Sequence, residues 1–130
     1  MSLVDVISID KDISLAKTMP SSFYLDEKYF HKTLNNIFRH SWQFLLHQDL
    51  IDSTVTPFYF LEDSIKEPLI ISNINNEIKC FSNVCTHRGN ILCTNKSNNN
   101  NIKCSYHGRT FDLNGKMKNM PGFEGVKNFP

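Results

Sequence analysis

Cys85-Thr86-His87-Arg88-Gly89 and, after sixteen residues beyond the histidine, Cys104-Ser105-Tyr106-His107-Gly108 are the stretches on which the reading of this chain turns. Each offers one thiolate and one imidazole, as Cys-x-His and then Cys-x-x-His. A mononuclear zinc finger takes paired cysteines from one turn and paired histidines from a helix. Here the order alternates Cys, His, Cys, His, and both pairs sit in turns beside predicted strands. That order favours two metal ions over one. Gly89 and Gly108, shortly after the histidines, let the backbone turn and approach a bound group closely.

A [2Fe–2S] cluster in which two histidines replace two cysteines on one iron needs such a set. Two loops that each bring one Cys and one His can meet around it from opposite sides. Cys85, His87, Cys104 and His107 are therefore the candidate cofactor and metal ligands. Arg88, Gly89, Tyr106 and Gly108 lie immediately around them, where loop amides can donate hydrogen bonds to sulfur. A zinc-stabilised binding module and four unrelated structural residues stand as the other readings.

Working outward, the chain after Pro57 reads as short strands. Phe58 to Leu61 and Leu69 to Ile74 are apolar and β-branched, and Asn75-Asn76 then leads into Glu77 to Phe81, a two-residue hairpin. A second hairpin is predicted at Asn114-Gly115, between Arg109 to Leu113 and Lys116 to Lys118, with a type I′ turn. The polar stretch Thr94 to Asn101 reads as a surface loop. Cys80 alternates within a strand and reads as a buried free thiol; Cys93 has no metal-ligand spacing partner.

Toward the N-terminus, Phe30, Leu34, Ile37 and Phe38 recur at helical spacing, continued by Trp42 and Leu45. This predicts an amphipathic helix with Asp26 as N-cap and Glu27 in its first turn. Residues 1–20 read as an arm. The expected fold is mostly β: a small antiparallel β-sandwich domain over 46–130, preceded by an N-terminal arm and helix over 1–45. A net charge of +1 gives no reason to expect a nucleic-acid partner, and no apolar run is long enough for a membrane span. Met1 to Asp10 lacks the pattern of a signal peptide. The expected location is then the reducing cytoplasm, where four cysteines more often hold metal than form two disulfides.

Cys85-x-His87-Arg88-Gly89 with Cys104-x-Tyr106-His107-Gly108 resembles the Rieske domain of aromatic-ring-hydroxylating oxygenase alpha subunits. Phe23-Tyr24-Leu25, the segment Ile37 to Gln43, and the tail from Thr110 to Phe123 are similar as well. The resemblance implies a Rieske-type β-sandwich that carries electrons through its [2Fe–2S] cluster. It implies electrons from an NAD(P)H-dependent reductase or ferredoxin, an oxygenase catalytic domain as acceptor, and a homotrimer in the full-length form. The mononuclear non-haem iron would belong to a C-terminal catalytic domain absent from these residues. His31, His40 and His47 do not read as its ligands. A free-standing Rieske ferredoxin is the alternative, disfavoured by the N-terminal helix.

Family members usually carry Trp directly after the second His-Gly, where this chain has Arg109. High-potential relatives place a disulfide between the loops, at positions that here look like Asn90 and Tyr106. They also place Ser and Tyr hydroxyls where Arg109 and Phe111 stand. Fewer hydroxyl donors to sulfur leave the reduced cluster less stabilised, so the expected reduction potential is toward the low end of the Rieske range, roughly −150 mV. A redox titration returning a value above about +100 mV overturns that expectation.

Overall fold

The computed structural model describes residues 7–128, so the start of the predicted arm, residues 1–6, lies outside the described residues. The described residues fall into two compact units that divide between Phe44 and Leu45. In the first, a turn closed by Asp12 precedes helix α1 (Ser21–Leu25) and helix α2 (Glu27–Asn36). Asp26 caps α2 as expected: its carboxylate accepts the N–H of Lys28 at 2.9 Å.

The helix is shorter than its apolar spacing predicts. It ends at Asn36, and a single 3-10 turn (Phe38–His40) follows. Asn35-Asn36 and β-branched Ile37 propagate a helix poorly, and the chain stops there. The inward face also differs by one position. Tyr29 is the buried residue of α2, with Phe23 packed on it at 5.5 Å between ring centroids. Tyr29, Thr33 and Ile37 line an apolar groove with Ile7, Met19 and Phe23. Phe30, Ile37 and Phe38 are exposed, and Trp42 is fully so, outside any helix.

The second unit holds two three-stranded antiparallel sheets. The first is β1 (Val55–Phe60), β2 (Glu67–Ile74) and β3 (Glu77–Ser82), in that order. Asn75 and Asn76 both have positive φ, 50° and 67°, which makes the β2–β3 connection the expected tight turn. The second sheet is β4 (Ile102–Lys103), β5 (Thr110–Phe111) and β6 (Met117–Asn119). Val55, Ile70, Ile102, Phe111 and Leu113 form one core with the side chains of Cys85 and Cys104. The Ser72 hydroxyl, fully buried, donates to the Leu113 carbonyl at 2.7 Å and ties the first sheet to the second.

Two local expectations are corrected. The β5–β6 turn is not type I′: only Gly115 has positive φ, and the Asp112 N–H bonds to the Lys116 carbonyl at 2.8 Å. The Asp112 carboxylate accepts the N–H groups of both Asn114 and Lys116 at 2.9 Å, which selects a three-residue loop with glycine in the left-handed position. Cys80 is exposed, because Lys79 and Phe81 take the inner face of β3 and a one-residue offset reverses every side chain. Stretch 94–101 is the expected surface loop, exposed but for half-buried Ser97, which exchanges backbone bonds with Val55 at 2.9 and 3.0 Å, while Lys96 pairs with Asp52 at 2.8 Å. Ser72→Ala leaves the Leu113 carbonyl without its buried donor and is expected to cost about 1–3 kcal/mol in a denaturant titration.

Candidate metal centre

The two stretches that decide the sequence reading fold into matching loops. Val84 bridges Ile91 and encloses residues 85–90, while Lys103 pairs with Thr110 and encloses residues 104–109. In the first, Cys85 N–H donates to the Asn90 carbonyl at 2.8 Å and Gly89 N–H to the Cys85 carbonyl at 3.0 Å. In the second, Cys104 N–H donates to the Arg109 carbonyl at 2.8 Å and Gly108 N–H to the Cys104 carbonyl at 3.0 Å. Glycine falls four residues after cysteine in both, with φ of 69° and 73°. A side chain at either position is strained, and at Gly108 a Cβ would also lie 3.1 Å from Pro121.

These loops bring the four sequence-predicted ligands together as like with like. Cys85 and Cys104 are both buried, at 2% exposure, and their thiols are within hydrogen-bonding reach of each other. The half-buried rings of His87 and His107 meet edge to face, 4.7 Å between centroids. Among the described residues no three Cys, His, Asp or Glu side chains are placed to share one ion. His107 Nδ1 is buried with no hydrogen-bond partner. A buried ring nitrogen left without a partner is rare in a folded protein unless a bound group supplies one.

Electrostatics bias Cys104 and His87 toward the protonation states that bind metal, thiolate and neutral imidazole. Burial pushes the Cys104 thiol up, but it is outweighed by the backbone N–H groups of Tyr106 and His107, the Cys85 thiol and the Asn90 amide. The net shift is downward. Desolvation, then the neighbouring His107, Arg88 and Arg109, hold the His87 imidazole below its ordinary value. The donor set therefore fits a [2Fe–2S] cluster: two sulfurs side by side, two imidazoles side by side, and amides already directed at a sulfur.

The surrounding residues divide. Tyr106 is exposed and its ring lies over His107 at 3.8 Å. Arg88 is exposed. Arg109 is buried, and its guanidinium donates to the Thr86 hydroxyl at 2.7 Å. The remaining cysteines stand apart: Cys93 is half-buried and Cys80 exposed, and partial burial pushes both thiols up.

Two residues that brace the ligand loops are not singled out as such by the sequence. Asn83, at 4% exposure, clamps the first loop's stems: its amide donates to the Cys93 carbonyl at 2.7 Å, and its Oδ1 accepts Cys93 N–H at 2.9 Å. Asn90 Nδ2 reaches Cys104 Sγ at 3.6 Å. Neither carries a signal beyond being a polar residue beside a ligand loop, and the chain has many asparagines.

With this arrangement in view, the class is settled by comparison. The chain belongs to the Rieske [2Fe–2S] domain family, which its residues 41–130 match. It is 34% identical over 97 residues, 74% of its length, to the large oxygenase component of the naphthalene 1,2-dioxygenase system of Pseudomonas aeruginosa, covering 21% of that protein. It is 29% identical over 126 residues, 95% of its length, to the chloroplastic choline monooxygenase of Arabidopsis thaliana, covering 30% of it. The crystal structure of a quaternary ammonium Rieske monooxygenase in complex with L-carnitine matches 88% of this chain with a TM-score of 0.75 and 28% identity, over 33% of that chain. The chain thus spans a third or less of these relatives' length. Asn83→Ala is expected to leave the Cys93 backbone groups unpaired and to lower stability by about 1–3 kcal/mol, read from thermal or denaturant unfolding.

Proposed function

We propose that this chain is the electron-transfer part of a Rieske-type oxygenase alpha subunit, with Cys85 and Cys104 on one iron and His87 and His107 on the other. The observation that carries the reading is the pairing of thiol with thiol and imidazole with imidazole between two matching loops. When bound, a [2Fe–2S] cluster supplies one-electron oxidation and reduction there. The chain's own residues do the rest. Cys85 and Cys104 hold their sulfurs inside the apolar core, away from water. The N–H groups of Tyr106 and His107 and the Asn90 amide donate toward Cys104. His87 and His107, only half-buried, offer a short path between that core and solvent or a partner.

Residues 1–45 form an arm and helix, and 46–130 the electron-transfer domain, in this reading. The mononuclear iron and the substrate pocket would lie beyond these residues, since this chain covers a third or less of its relatives. An NAD(P)H-dependent reductase or ferredoxin would supply electrons, and the oxygenase catalytic domain would receive them. One matched structure of a quaternary ammonium Rieske monooxygenase is concerned with inter-subunit electron transfer, which supports passage of electrons between subunits within the homotrimer that the resemblance implies. No helix among the described residues is long and apolar enough to cross a membrane. Cysteines that hold iron, with Cys80 and Cys93 outside any disulfide, suit a cytoplasmic location.

Purified protein is expected to be red-brown, to contain iron and sulfide in equal amounts, and to give a rhombic EPR signal on reduction. Cys85→Ser and Cys104→Ser are each expected to abolish that signal while the chain stays folded by circular dichroism. A colourless protein with one stoichiometric zinc overturns the reading.

A further inference from the structure

The residue five places after each cysteine plays the same double part. The carbonyls of Asn90 and Arg109 close their own loops, accepting Cys85 and Cys104 N–H at 2.8 Å. Their side chains then cross to the other loop. Asn90 Nδ2 donates to Cys104 Sγ at 3.6 Å, and Arg109 Nη1 donates to Thr86 Oγ1 at 2.7 Å. A second bond from Asn90 Nδ2, to the Ile91 carbonyl at 2.7 Å, fixes the direction of that amide. Arg109 is only 8% exposed, so its charge acts at shorter screening than a surface arginine's.

We propose that Asn90 and Arg109 are a reciprocal pair of positioning residues that hold the two loops in register and raise the reduction potential of the iron–sulfur group bound between them. This rests on the ligand reading above. One-electron reduction makes the bound group one charge more negative. An N–H aimed at a ligand sulfur and a fixed cation beside the ligand loops both favour that state over the oxidised one. The two side chains thus offset part of the loss of hydroxyl donors noted in the sequence. Thr86 serves as the anchor that keeps the guanidinium at the junction.

The test compares wild type with Arg109→Met, Arg109→Lys, Asn90→Ala and Thr86→Val, each reconstituted with iron and sulfide. Potentials are read by EPR-monitored redox titration, and amide hydrogen exchange at Cys85 and Cys104 is read in the cluster-free proteins. Arg109→Met and Asn90→Ala are each expected to lower the potential by about tenfold in the one-electron equilibrium constant, about 59 mV. Arg109→Lys keeps the charge and is expected to retain most of the wild-type value. Thr86→Val keeps the charge but loses the strut: the potential moves less than in Arg109→Met, and exchange at both cysteine amides speeds up. Loaded Arg109→Met and Asn90→Ala proteins with unchanged or higher potentials overturn the proposal. If Arg109→Met fails to load, Asn90→Ala and Arg109→Lys decide it by the same readings. Wild type that takes up no iron and sulfide overturns the ligand reading and this inference with it, whereas loaded variants with unmoved potentials overturn this inference alone.

Discussion

In both loops the cysteine N–H is held at 2.8 Å by the carbonyl five residues on, with a left-handed glycine between them. The centre depends on this closure. A turn that buries a thiol must also satisfy the backbone groups that go inside with it. The cysteine N–H and C=O are both used within the loop, so the sulfur enters the core without stranding its own backbone. Only a residue without Cβ takes the positive φ at the fourth step at no steric cost.

The same closure explains how two loops of different sequence spacing serve one centre. Glycine keeps its distance from cysteine in both, while histidine shifts by one residue, from Cys-x-His-x-Gly to Cys-x-x-His-Gly. The hydrogen-bond frame is constant and the imidazole leaves it from a different step. That shift accompanies rings meeting edge to face at 4.7 Å, with the two thiols adjacent in the core. The sheets supply the rigidity beneath: the Ser72 hydroxyl joins β2 to the β5–β6 hairpin, and Asn83 binds the stems of the first loop.

Charge is arranged on the same plan. Desolvation, then the neighbouring His107, Arg88 and Arg109, shift His87 toward its neutral form, and amides around Cys104 outweigh burial in favouring its thiolate. Both effects lower the cost of losing protons to a metal. Among the described residues, the carboxylates Asp26, Asp49, Asp52 and Glu77 form ion pairs in other stretches of the chain, on its surface.

The sequence by itself determined the four ligand candidates, the family they resemble and the tight Asn75-Asn76 hairpin. Each of these rests on a few adjacent residues whose chemistry is specific: thiolate, imidazole, or a backbone with positive φ. The tertiary structure decided what depends on neighbours distant in the chain. Which stripe of α2 faces inward, and that Cys80 faces outward, turn on a one-residue offset that local periodicity leaves undetermined. The three-residue turn at Asn114 followed from the Asp112 carboxylate competing for two amides. The bonds of Asn83, Asn90 and Arg109 became legible only once the loops were folded, because a polar side chain shows its partner only when the opposite loop is in place.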